Sequence, residues 1–188
     1  MSDQHAAVGQ TELVAPTPVA HAPAQESFDA PAQESFEIGP VVWSAPFDAL
    51  RVGQRFETVP RAVGETDVMV FSALTGDWHP QHSDPEWAAA SPFGERIAHG
   101  LLTISLAVGL VPLDPDRVMA LRRLSEVVFK RPVRLDQMIH VVGHITALRP
   151  IDDGSGLVSF AWAIRNEQDE LVCRAGVDVL WRRAPAEL

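Results

Sequence analysis

An α+β fold, one antiparallel sheet wrapped around one buried helix, is what the sequence predicts. Three observations carry that expectation. Residues 101–111 are apolar around almost the whole helical circumference, the pattern of a helix buried on all sides. Four runs rich in β-branched and aromatic residues follow, at 118–129, 138–148, 157–165 and 171–181. Turn-forming clusters, Asp152-Asp153-Gly154-Ser155-Gly156 and Asn166-Glu167-Gln168-Asp169, join the last three as hairpins. A meander needs cover for its apolar face, and the helix supplies it.

The remaining elements follow in chain order. Residues 1–38 read as a disordered tail, and 39–188 as one domain of sufficient length for a substantial core. Residues 1–50 hold seven acidic side chains and no Lys or Arg, whereas 51–188 hold eighteen acidic against fifteen basic. The tail repeats the unit Ala-Pro-Ala-Gln-Glu-Ser-Phe at 22–28 and 30–36. Such a composition buries too little apolar surface to offset the entropy of ordering. The sharper alternative makes the doubled unit a docking peptide whose two copies raise effective concentration at a partner. Residues 53–63 alternate loosely as a strand. Residues 65–74, between Gly64 and Gly76, form a helix with Val68, Phe71 and Leu74 on one helical face. Asp84 then caps a helix whose first residue is Pro85 and which runs to about Ala90. A loop with Pro92 and Gly94 leads to His99.

Composition excludes several classes. The longest apolar run, 101–113, carries Thr103 and Ser105 and is too short to span a bilayer. No secretory signal pattern opens the chain. Cys173 is the only cysteine, so no intrachain disulfide forms, and a reducing, cytoplasmic setting is expected. A net charge of −10 and a pI near 5.0 disfavour nucleic acid. Neither a dinucleotide fingerprint nor a P-loop is present.

One segment proposes chemistry: Thr75-Gly76-Asp77-Trp78-His79-Pro80-Gln81-His82-Ser83-Asp84, followed by His99-Gly100 at the start of the apolar helix. A carboxylate and an imidazole on one turn form an acid–base pair that shares one proton. The helix start offers backbone N–H groups to a polarised carbonyl. Plainer readings stand beside these. Asp77 suits a turn cap, Asp84 an N-cap, and His99 a buried packing histidine. Ser105 suits back-bonding to a helical carbonyl, and Trp78 and Trp87 a wall or the core. His79, His82 and His99 with Asp77 or Asp84 have zinc-ligand chemistry. However, the two close histidines are set in a loop instead of at i and i+4 on a helix, so no metal is expected.

Residues 71–110 resemble the MaoC-like, (R)-specific enoyl-thioester hydratases of the hot-dog fold. The resemblance rests on Gly76-Asp77, Pro80, His82, Asp84, and His99-Gly100 with Ser105 six residues after His99. The later Val128-Phe129-Lys130-Arg131-Pro132-Val133 also matches. His79 stands where the family usually has Asn, and Gln81 where it has an aliphatic residue. The resemblance implies a hydratase/dehydratase that interconverts a trans-2-enoyl thioester and its (R)-3-hydroxyacyl thioester. Asp77 and His82 would move the proton, the Gly100 N–H would meet the thioester oxygen and Ser105 would orient the pair. Trp78, His79, Gln81 and His99 would form the site wall. No cofactor is implied, because coenzyme A or phosphopantetheine enters as part of the substrate. The resemblance further implies a homodimer joined edge to edge, with an acyl tunnel along the interface.

Basic residues cluster at Arg122, Arg123, Lys130, Arg131 and Arg134. Lys130, Arg131 and Arg134 are candidates for the phosphates of coenzyme A or a carrier protein's phosphopantetheine, and a solvated face is the alternative. Three other functions stay open: a hot-dog thioesterase, addition of another nucleophile to the enoyl thioester, and a non-catalytic acyl-binding subunit.

Overall fold

A computed structural model describes residues 38–184, so residues 1–37 of the expected tail, with the doubled repeat, lie outside the described part. After a 3₁₀ turn at Phe47–Ala49, the elements are β1 (Arg55–Glu57), β2 (Arg61–Ala62), α1 (Glu65–Thr75), α2 (Pro80–Ser83), α3 (Pro85–Ala89), α4 (Gly100–Leu110), β3 (Val118–Phe129), β4 (Met138–Pro150), β5 (Ser155–Asn166) and β6 (Leu171–Arg182). The strands form one six-stranded antiparallel sheet in the order β1-β4-β5-β6-β3, with β2 also paired to β4. The α+β expectation holds, and the meander strands begin and end within two residues of their predicted limits.

Period-2 alternation decides which face of the sheet is buried. Ile139, Val141 and Ile145 of β4, Val158, Phe160, Trp162 and Ile164 of β5, and Ala175, Val177, Val179 and Trp181 of β6 form the core. Trp43, ahead of the first strand, stacks between Phe160 and Trp181 at 5.8 and 5.7 Å. The Trp181 indole N–H donates to the Ala45 carbonyl at 2.9 Å, so a fully buried ring leaves no polar atom unpaired.

Three expectations need correction. The strand expected over 53–63 is broken into β1 and β2, both paired to β4. Pro60, which lacks an N–H, lies in the gap, and the Thr58 hydroxyl accepts from the Val141 N–H at 3.0 Å to bridge it. The helix α1 buries Val68 and Ser72, whereas Leu74 is 80% exposed, because the inner stripe runs i, i+4. The helix α4 is also not enclosed on all sides. Leu102, Thr103, Ile104 and Ala107 are buried, while Leu101 (67% exposed), Ser105 and Gly109 form an open stripe. The sheet and α1 cover only part of its circumference within one chain.

Candidate active site

Local hydrogen bonding shapes the 75–84 segment before any long-range contact does. The Thr75 hydroxyl donates to the Phe71 carbonyl at 2.7 Å and accepts from the Asp77 N–H at 3.3 Å. Between them Gly76 ends α1 at φ 79°, a left-handed conformation that glycine adopts without strain. Asp77 Oδ1 then accepts from the His79 N–H at 3.2 Å, and His79 Nδ1 from the Gln81 N–H at 3.2 Å. These side-chain turns and Pro80 at the first helical position start α2, which carries His82 inward. Asp84 caps α3 as expected, accepting from the Glu86 and Trp87 N–H groups.

Ile97 ties this turn to the approach of α4. Its N–H donates to the Gln81 carbonyl at 3.1 Å, and its carbonyl lies 2.7 Å from His82 Nδ1. A carbonyl only accepts, so Nδ1 holds the ring proton and Nε2 carries the lone pair. The Gln81 amide donates to that lone pair at 3.1 Å. His82 is 4% exposed. Burial lowers its pKa below the ordinary 6.5, reinforced by the neighbouring His99, while the Ile97 carbonyl and Asp77 pull the other way.

His99 packs beside it, with the two rings stacked at 3.8 Å and 28°. Its Nε2 lies 3.1 Å from the Asp77 carbonyl and 3.2 Å from the Ser72 hydroxyl, which fixes the proton there and leaves Nδ1 buried and unpartnered. The Asp77 carboxylate is half-exposed and 3.9 Å from the same nitrogen. Ligand atoms of Asp77, His82 and His99 lie within 4.8 Å of one another. Yet imidazole lone pairs lie in the ring planes, and planes this nearly parallel do not meet at metal-bond distance, about 2.0–2.1 Å.

These groups face a cavity of about 530 Å³. Asp77, Gln81, His82 and His99 line its polar part, and Phe71, Phe93, Ile97, Leu101, Phe129 and Val133 are among its apolar walls. Gly100, the first residue of α4, also lines it, with an N–H beyond the reach of intrahelical pairing. The Phe129 ring rests against Gly100, where an added Cβ would stand 2.8 Å from ring carbon Cζ. Exposed Lys130 and Arg131 belong to the same lining.

Thus Asp77, Gln81, His82, His99, Gly100, Lys130 and Arg131 come together, and four other candidates do not. Trp78 is half-exposed and His79 caps α2; neither lines the cavity. The Ser105 hydroxyl donates to the Leu101 carbonyl at 2.8 Å on the open stripe of α4, the plainer of its two readings. Arg134 pairs with Glu95 at 2.6 Å. Trp87 is neither wall nor core: it is exposed, with its ring edge-on to His79 at 5.3 Å. The sequence reading missed Ser72 and the Ile97 carbonyl. A polar residue four positions after Val68 was a legible sign of a buried hydroxyl, whereas nothing local marks which carbonyl a histidine will find.

The family model described as MaoC like domain matches residues 48–159. The chain belongs to the MaoC-like family. This MaoC-like chain is 36% identical over 107 residues to the 3-hydroxybutyryl-CoA dehydratase of Methylorubrum extorquens, covering 55% of this chain and 66% of that protein, just under two thirds. It is 34% identical over 101 residues to the (R)-specific enoyl-CoA hydratase of Aeromonas caviae, covering 54% and 75%. Among solved structures, a monoamine oxidase regulatory protein from Archaeoglobus superposes with TM-score 0.71 and 33% identity, over 78% of this chain and 97% of that one. A Mycobacterium tuberculosis protein with a double hot-dog fold gives TM-score 0.67 at 20% identity, covering 78% and 46%, a likeness of fold. The MaoC-like sheet around α4 is a hot-dog fold. Among the described residues no helix is long and apolar enough to cross a membrane.

Proposed function

We propose that the chain interconverts a trans-2-enoyl thioester and the (R)-3-hydroxyacyl thioester, with Asp77 and His82 as the acid–base pair. The observation that carries this reading is the tautomer of His82: Nδ1 is committed to the Ile97 carbonyl, so the lone pair of this cavity-lining ring is on Nε2, where the Gln81 amide donates and where a base can act once that amide is displaced. In hydration, a water held by His82 and Asp77 loses a proton to Nε2 and its oxygen bonds to C3. The C2=C3 electrons move to C2 and the thioester oxygen, where the Gly100 N–H at the start of α4 meets the growing negative charge. The proton then passes to C2 on the same face. Dehydration reverses each step through the same groups. The relatives named for enoyl-CoA hydration and 3-hydroxybutyryl-CoA dehydration support the reading. No metal or other cofactor is needed in this scheme.

Lys130 and Arg131 are proposed to meet the phosphates of coenzyme A or of a carrier-bound phosphopantetheine. Assays with crotonyl and longer enoyl thioesters, on coenzyme A and on carrier protein, test the activity. The expected product is the (R)-3-hydroxyacyl thioester. Release of free acid and thiol would mark a thioesterase instead, and binding without turnover an acyl-binding subunit.

A further inference from the structure

Gln81 holds the lone pair that the reaction needs. A neutral imidazole has one in-plane lone pair, and with Nδ1 bonded to Ile97 that pair is on Nε2, where the Gln81 amide donates at 3.1 Å. The water that His82 is to deprotonate requires the same position. Gln81 must therefore turn away before His82 can act. Among the described residues its amide oxygen has no hydrogen-bond partner, and the cavity it lines has apolar Phe71, Phe93 and Ile97 beside polar Thr75 and Asp77. An amide turned into apolar surroundings without a partner carries its full desolvation cost.

A plain alkyl chain offers the half-buried Gln81 amide no partner of its own, so the amide either blocks the base or turns to solvent or to the Asp77 side of the cavity. A substrate with a hydrogen-bonding group beside the reacting carbons removes the conflict, because the released amide can donate to that group or accept from it. Since water adds at C3, the adjoining C4 is the nearest acyl position outside the reacting pair. We infer that Gln81 is a specificity-determining residue, selecting enoyl thioesters that carry a hydroxyl or similar hydrogen-bonding group on C4. The inference rests on the hydration reading given above and names its substrate class.

The test compares kcat/KM for crotonyl-CoA and 4-hydroxycrotonyl-CoA in the wild-type chain, Gln81→Leu and Gln81→Met. The methionine keeps the length of glutamine without its hydrogen bonds. The wild type should favour the hydroxylated substrate by roughly tenfold or more, since polar groups left unpaired discriminate strongly. Both variants should gain on crotonyl-CoA and lose on its hydroxylated counterpart. A ratio unchanged by either folded variant, or a wild type that prefers crotonyl-CoA, overturns the proposal. Calorimetric binding of butyryl-CoA and 4-hydroxybutyryl-CoA separates this outcome from a failure of the hydration reading. A Gln81-dependent preference for the hydroxylated ligand supports the selection even without turnover, and equal binding in wild type and variants refutes it.

Discussion

At the scale of single residues, the site is two histidines held in complementary tautomers by backbone carbonyls. His82 holds its lone pair on Nε2 and His99 keeps its proton on Ser72 and the Asp77 carbonyl. Asp77→Asn and His82→Ala should each lower turnover by about 10²–10⁴-fold with the fold intact, the usual contribution of an acid–base group. Near-normal rates in either folded variant would remove the pair from the mechanism. The lowered pKa of His82, caused chiefly by burial, also links stability to pH, and His144 is lowered for the same first reason, then by Arg55. A folded value below the unfolded 6.5 means that the unfolded chain holds the proton more tightly. Stability from these groups is therefore complete above pH 6.5 and declines as pH falls through and below it. Melting temperature followed from pH 8 downward should drop below about 6.5, and His82→Asn should make that drop shallower. An unchanged slope would count against a buried neutral imidazole.

Among the elements, α4 meets the end of β3 in close contact beside the cavity. Gly100 begins α4 because the Phe129 ring occupies the space of a side chain. Gly100→Ala should overpack this contact at a cost of about 1–3 kcal/mol, lowering Tm by several degrees. Trimming the ring in the double variant Gly100→Ala/Phe129→Leu should recover part of the loss. A single variant as stable as the wild type would show that the ring moves aside freely. The arrangement also places β3 against the residue whose N–H is proposed to meet the thioester oxygen.

For the whole molecule, the sheet ends on β3, whose pairing with β6 is interrupted by three register shifts. Such irregularity blunts an edge strand, yet Met119, Leu121, Leu124 and Phe129 remain exposed along it. The open stripe of α4 adds Leu101, and both Leu101 and Phe129 line the cavity. A second copy laid against these surfaces would bury the apolar groups and complete the cavity wall. A homodimer is the expected state, measured by sedimentation at micromolar concentration. An active monomer would refute it. An inactive homodimer that gains activity with a second protein would point to a heteromeric enzyme with this chain carrying the acid–base pair.

Much of this was written in local sequence, because the deciding interactions span only a few residues. Asp84 and Pro85 fixed the start of α3, Gly76 the end of α1, and alternating apolar residues the four long strands. The turn proposed to carry the acid–base pair was legible for the same reason: Asp77, Pro80 and His82 lie on one short segment shaped by its own side chains. Tertiary structure decided what depends on partners distant in the chain. The proton of His82 is set by a carbonyl fifteen residues away, and the burial of His99 by Ser72, twenty-seven residues before it. The sequence made α4 apolar around almost its whole circumference, but only packing determines which side a single sheet covers. That choice left Leu101 and Ser105 facing outward and put Gly100 against Phe129. A helix can present several apolar faces, and a histidine can carry its proton on either nitrogen. Local chemistry leaves such alternatives close in energy, and only the assembled fold separates them.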